Sequence, residues 1–163
     1  MHKLKFGVWL LLLGFCFSVS VRAQDKPPLL DGVERVFREK EPQWKIETLN
    51  VKGEIDPLEQ NIVFRAGKQQ ASVRLVVWKE VKNARDTFAA GAIVKSNMSK
   101  SMKRQRLHNF GDEGYMWIHP GSNAWPIIDF RKGASNVTVF APTVAIAKRF
   151  ARHILGQIDA NQN

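Results

Sequence analysis

Apolar residues recur at Leu29, Leu30, Val33, Val36 and Phe37, while Glu34, Arg35, Arg38 and Glu39 fall on the other side of a 3.6-residue period. This spacing predicts an amphipathic helix that Pro42 closes. The period then changes to two. Trp44, Ile46 and Thr48 alternate with Lys45 and Glu47, and Leu49 and Val51 continue the apolar content, so a half-buried strand is expected here. After a loop from Gly53 to Gln60, Ile62 to Arg65 and Gln70 to Trp78 flank Ala66-Gly67-Lys68-Gln69 and read as a β-hairpin. In its return strand Ala71, Val73, Leu75 and Val77 share one face. Past Glu80 a helical period resumes through Val81, Ala84, Phe88 and Ala92, joined by Gly91, Val94 and Met98, and predicts a helix reaching toward Arg104. Gly111 to Gly114 interrupts the chain. Gly114 to Ile118 then reads as a strand, Ile127 to Phe140 as a second hairpin, and the segment after Pro142 as a closing helix.

The second half repeats the first. When Phe64 is set on Phe130, the matches Ile62/Ile128, Phe64/Phe130, Arg65/Arg131, Gly67/Gly133 and Val73/Val139 follow without a gap. The helices stay in phase as well, with Val81, Ala84, Phe88 and Ala92 falling on Ala147, Phe150, Ile154 and Ile158. In each copy the phenylalanine is expected to face the core, the arginine to face out and the glycine to make the turn, so Arg65 and Arg131 read as scaffold rather than as site residues. A strand precedes each hairpin and a helix precedes each of those strands. The order is therefore αβββαβββα, an α+β domain with an antiparallel sheet of about six strands covered by helices and an internal β3α pseudo-repeat. At the level of architecture this order resembles the small extracytoplasmic domains of the PsbP/Mog1 type.

The amino terminus belongs to a different class of segment. Lys3 and Lys5 precede a continuous apolar or small run from Phe6 to Val21, and Val21-Arg22-Ala23 places small side chains where a signal peptidase would cut. Residues 1–23 thus read as a cleaved secretory signal and residues 24–163 as a single domain, secreted or periplasmic. An uncleaved anchor is the alternative, since the run is only slightly short of a membrane span. A lipoprotein cut before Cys16 is a second alternative, opposed by the bulky Phe15. Cleavage after Ala23 would leave no stable transmembrane helix. It would also remove the only cysteine, so no disulfide, thiol chemistry or Cys-ligated metal is expected.

Loss of Lys3, Lys5 and Arg22 would lower the net charge from +10 to +7, and the domain remains basic. Such a charge favours anionic partners without bearing on fold. It concentrates at Lys95, Lys100, Lys103, Arg104 and Arg106, a stretch without acids that reads as the cationic end of a helix and as a docking patch for a protein or an anionic envelope component. Nucleic acid is not expected as a partner, because no zinc-finger, helix-turn-helix or RNP-like pattern is present. Trp125, set in a loop bounded by Pro120 and Pro126, has weak local reasons to be buried and is the aromatic candidate for a binding edge.

Catalytic patterns are scarce. The nucleophile elbow G-x-S-x-G, the phosphate loop G-x-x-x-x-G-K-[ST] and the dinucleotide fingerprint G-x-G-x-x-G are absent, and His108, His119 and His153 lack metal-ligand spacing. No cofactor or metal is therefore expected. His108 with Asp112 or Glu113 is the nearest approach to an acid/base cluster and defines the alternative of a small hydrolase or lyase. A small-ligand carrier, with its ligand lodged between sheet and helices, is a further alternative. The leading expectation is a non-catalytic extracytoplasmic binding or accessory module using Trp125, Lys100, Lys103, Arg104 and Arg106.

Overall fold

The computed structural model describes residues 28–53, 56–98, 102–120 and 124–162; the expected signal segment, Cys16 and Lys100 lie outside them. The element order is α1 (Pro28–Lys40), β1 (Lys45–Lys52), β2 (Leu58–Ala66), β3 (Gln69–Val77), α2 (Val81–Met98), β4 (Lys103–Arg106), β5 (Glu113–Ile118), β6 (Ile127–Lys132), β7 (Ser135–Phe140) and α3 (Val144–Gln162). The strands form one antiparallel sheet in the order β1-β2-β3-β7-β6-β5-β4. The α+β class and the antiparallel sheet agree with the sequence pattern, with one strand more than expected.

Both hairpins turn where the glycines stand. Gly67 and Gly133 have φ of 58° and 54°, each at the first central position of a two-residue turn. That position needs positive φ for the turn to follow the natural twist of the strands, and glycine adopts it without a Cβ clash. The two hairpins meet through β3 and β7, with Val73 directly opposite Val139. These two valines are equivalent in the sequence repeat, so a local two-fold axis runs between them and relates β1-β2-β3 to β5-β6-β7. Lys103–Arg106 adds β4 outside that symmetry.

One face of the sheet carries the main core. Ile62, Phe64, Val73, Leu75, Ile128, Phe130, Val137 and Val139 are buried there against α1 and α3. Phe37 of α1 stacks on Phe64 at 4.3 Å and meets Phe150 of α3 edge-on at 4.6 Å. Fully burying side chains of this size contributes about 1.5–3 kcal/mol each, which makes this three-way contact a principal hold on both helices. Thr143 caps α3 through a hydrogen bond accepted from the Ile146 amide at 3.3 Å. Just past α1, the buried Glu41 accepts hydrogen bonds from Arg149, His153 and Gln43 and so fastens α1 to α3. Burial works to raise the Glu41 carboxyl, but the hydrogen bonds from Arg149 and His153 outweigh it and hold the group below its ordinary value.

One expectation is corrected here. Lys103–Arg106, read as a cationic helix end, is an exposed edge strand paired with β5. Its all-polar sequence gives no alternation by which a strand would be recognised; the strand exists because β5 offers it a backbone ladder. The helices depart from the repeat, because α2 does not sit beside α3 as strict two-fold symmetry would require. Phe88 lies over Tyr115 with ring centroids 6.0 Å apart, and the Asn136 side chain donates to the Ala84 carbonyl at 2.9 Å. Tyr115 and Asn136 alternate along their strands with the buried Met116 and Val137, so α2 covers the opposite face. α1 fills the place on the core face that the repeat would assign to α2.

Candidate functional site

The polar face beneath α2 is built from one cross-strand row. Tyr115, Asp129, Thr138 and Arg74 stand opposite one another on β5, β6, β7 and β3. Asp129 is the centre of this row. Its carboxylate accepts from Lys95 Nζ at 2.7 and 2.6 Å, from Trp117 Nε1 at 2.7 Å and from Thr138 Oγ1 at 2.7 Å. Four contacts to one buried carboxylate supply the donors that an ionised group needs away from water. Lys95 descends from α2 to reach it, which fixes the C-terminal half of that helix on the sheet.

Among the described residues α2 covers β5 to β7 and no helix covers the same face of β1 to β3, and a cleft of about 320 Å³ runs along the step. Thr87, Gly91 and Lys95 recur every four residues and form the helix flank that lines it. Its floor includes Asp129 and the Glu59–Arg74 pair. Arg74 makes two parallel hydrogen bonds to Glu59, at 3.0 and 2.9 Å, and Asn61 adds a third at 2.9 Å; together they depress the Glu59 carboxyl to about 2. Every carboxylate in the cleft is thus matched by a cation.

The basic patch is rearranged relative to a helix end. In a strand successive side chains point to opposite faces, so Arg104 and Arg106 share the α2 side and Lys103 takes the other. Arg104 lies over the rings of Tyr115 and Trp117, with its guanidinium carbon 5.0 and 6.0 Å from their centroids. This cation–π bracing orients a charge on an otherwise open edge. Among the described residues, Lys103, Arg104 and Arg106 form no ion pair. Trp125 is 40% exposed and immediately precedes the β6 region. It lies at the end of the sheet where β4 begins and β5 finishes, because Lys103 pairs with Ile118. The structure thereby brings Trp125, Lys103 and Arg104 to one end of the sheet, with Arg106 farther along the same edge.

No protein-family model, curated protein or solved structure matches the chain.

The acid/base cluster has a different disposition from the one its sequence proximity suggests. His108 is exposed, whereas Asp112 and Glu113 are both held by Arg131, at 2.8 and 3.2 Å. Asp112 also accepts from the Gly133 amide at 2.9 Å, so these carboxylates brace the β6–β7 turn. Arg131 is only 5% exposed, which corrects the expectation that it faces out into solvent; Arg65, its counterpart, is exposed and paired with Glu47. Among the described residues, no three His, Cys, Asp or Glu side chains gather as a metal site.

Asp129 and the cleft escaped the sequence reading because the repeat presented Asp129 as part of a scaffold strand; Lys95, read there as part of the cationic docking stretch, instead pairs with Asp129. A signal was present: Asp129 occupies the position of Val63 in the first copy. An acid replacing an apolar residue within a strongly apolar hairpin marks a local demand for charge.

Proposed function

We propose that this chain is a non-catalytic extracytoplasmic binding module that engages an anionic partner, an acidic protein segment or another anionic envelope component, through β4 and Trp125. The observation that carries the reading is the open β4 edge, with three cations free of ion pairs among the described residues and with Arg104 braced on Tyr115 and Trp117. An unpaired strand edge supplies backbone donors and acceptors, and its cations select for negative charge while discouraging self-association. Trp125 adds exposed aromatic surface at the same end. The leader pattern supports an extracytoplasmic location. Asp112 and Glu113 both hold Arg131, and among the described residues neither forms an ion pair with His108, which weighs against the hydrolase alternative.

Photo-cross-linking in intact cells tests the proposal directly. A photoreactive residue at Arg104 or Trp125 should capture the same partner, and Lys103→Glu with Arg106→Glu should abolish capture in a salt-dependent way. The control position is Lys52, an exposed cation on the opposite edge strand. Equal capture from position 52, or capture insensitive to both charge reversal and salt, would reject the β4 surface.

A further inference from the structure

Two polar atoms of side chains that line the cleft beside α2 have no counterpart in the fold. Trp78 Nε1, a donor, and Asn136 Oδ1, an acceptor, are buried without a hydrogen-bond partner. Native proteins rarely leave such atoms unmatched, because they lose water and gain nothing in exchange. The orientation of Asn136 is fixed: its Nδ2 donates to the Ala84 carbonyl at 2.9 Å, and a carbonyl accepts only. Oδ1 is therefore the end left over.

The two residues are neighbours on the sheet. Asn136 stands opposite Val76, and Trp78 follows two positions later on the same face, its amide continuing the ladder to the Ala134 carbonyl at 2.9 Å. Diagonal neighbours of this kind are within reach of one ligand when a large side chain is involved. The cleft also offers aromatic surface from Phe88 and Tyr115, whose rings lie within 19° of parallel. It offers no uncompensated charge, since Lys95 is matched to Asp129 and Arg74 to Glu59. At about 320 Å³ its volume is near the lower end of small-molecule sites.

The geometry points to a binding site for a small neutral molecule that carries a carboxamide or lactam group on an aromatic ring. Such a group places a carbonyl beside an N–H: the carbonyl accepts from Trp78 Nε1, and the N–H donates to Asn136 Oδ1. The ring is sandwiched by the aromatic and aliphatic walls, and a charged isostere is disfavoured because it would lose part of its hydration without gaining a counterion, the charges there being already paired. Gly91 keeps the flank open, for a Cβ built there meets nothing within 4 Å.

The test uses the protein as its host produces it, labelled with ¹⁵N at tryptophan, with benzamide as the probe and benzoate and benzylamine as its anionic and cationic counterparts. The Trp78 indole signal is assigned by its loss in Trp78→Phe, and the buried Trp117 indole reports whether the fold is intact. Benzamide should move the Trp78 signal saturably, and the two charged compounds should bind at least roughly tenfold more weakly, a difference of about 1.4 kcal/mol. Gly91→Leu should abolish the titration by filling the cleft; if it disturbs Trp117, Thr87→Trp on the same flank replaces it. Equal binding of the three compounds, or benzamide binding that survives the blocking variant, would overturn the site. So would a Trp78 signal that exchanges with water and ignores benzamide, because ordered water alone would then satisfy both atoms.

Discussion

Replacing either end of the Lys95–Asp129 pair should have unequal effects on stability, and the inequality can be worked from the contacts. Lys95→Met removes a cation whose side chain is 30% exposed and leaves Asp129 with two donors, Trp117 Nε1 and Thr138 Oγ1. Water can approach from the side that Lys95 vacates, so the expected cost is about 1–2 kcal/mol, near the value of one charge-assisted hydrogen bond. Asp129→Ala removes all the acceptors together. Trp117, itself 1% exposed, then carries a buried unsatisfied N–H, Thr138 loses its acceptor, and the Lys95 ammonium loses its counterion. That loss should reach about 3–5 kcal/mol, the usual cost of breaking a buried ionic network from its central side. Urea unfolding followed by tryptophan fluorescence measures both variants, and a double-mutant cycle measures their coupling. Lys95→Met introduced into Asp129→Ala should cost almost nothing, giving a coupling of about 1–2 kcal/mol. Equal costs for the two single variants would refute the assignment of Asp129 as the hub. Additivity in the double variant would refute the ion pair itself.

Three further outcomes follow from the packing and the charges. Gly91→Ala and Gly156→Ala should each stabilise the protein by up to about 1 kcal/mol, since both glycines lie inside helices and an added Cβ meets nothing within 4 Å; a lowered urea midpoint would contradict the open flank at Gly91. Gly111→Ala should destabilise by roughly 2–3 kcal/mol, because φ is +66° and the new Cβ would lie 2.3 Å from the Arg131 carbonyl oxygen; wild-type stability in thermal unfolding would contradict that close approach. For Glu59, hydrogen bonds from Arg74 and Asn61 lower the folded-state carboxyl from 4.5 to about 2, so its contribution is full above 4.5 and is lost as pH falls toward 2. Arg74 is half-exposed, which limits that contribution to about 1 kcal/mol, and Glu59→Gln should flatten the acid limb of a pH–stability curve by this amount, whereas an unchanged limb would show that the pair is not formed.

The hairpins and the outer helices were legible in the sequence because their residues satisfy two demands at once. Val73 and Val139 are apolar where the core needs them, and Gly67 and Gly133 stand where the turn needs positive φ. β4 was illegible for the opposite reason: Lys103, Arg104, Gln105 and Arg106 are all exposed, and nothing in their polarity separates an edge strand from a helix end. Trp125, whose loop context offered weak local reasons for burial, is 40% exposed. The burial of Arg131 was not legible, because it depends on Asp112 and Glu113 arriving from another strand region, a tertiary event that no local pattern records. The repeat nevertheless extends further than the aligned hairpins. Each copy pairs its arginine with a glutamate of the strand alongside, Arg65 with Glu47 and Arg131 with Glu113.

The cleft follows from the place where that repeat fails. A two-fold axis between Val73 and Val139 preserves the faces of the sheet, so a fully symmetric chain would set α2 beside α3 on the core side. α1 already occupies that ground, with Phe37 wedged between Phe64 and Phe150. α2 therefore crosses to the other face, where the second copy has exchanged an apolar position for Asp129 and receives Lys95 from the helix. Among the described residues one helix lies on this side, and it covers β5 to β7 but not β1 to β3. A step must then exist between covered and bare strands, and Gly91 keeps side-chain bulk out of it. The same displacement that makes the helices depart from the repeat thus creates both the charged floor and the open flank of the candidate ligand site.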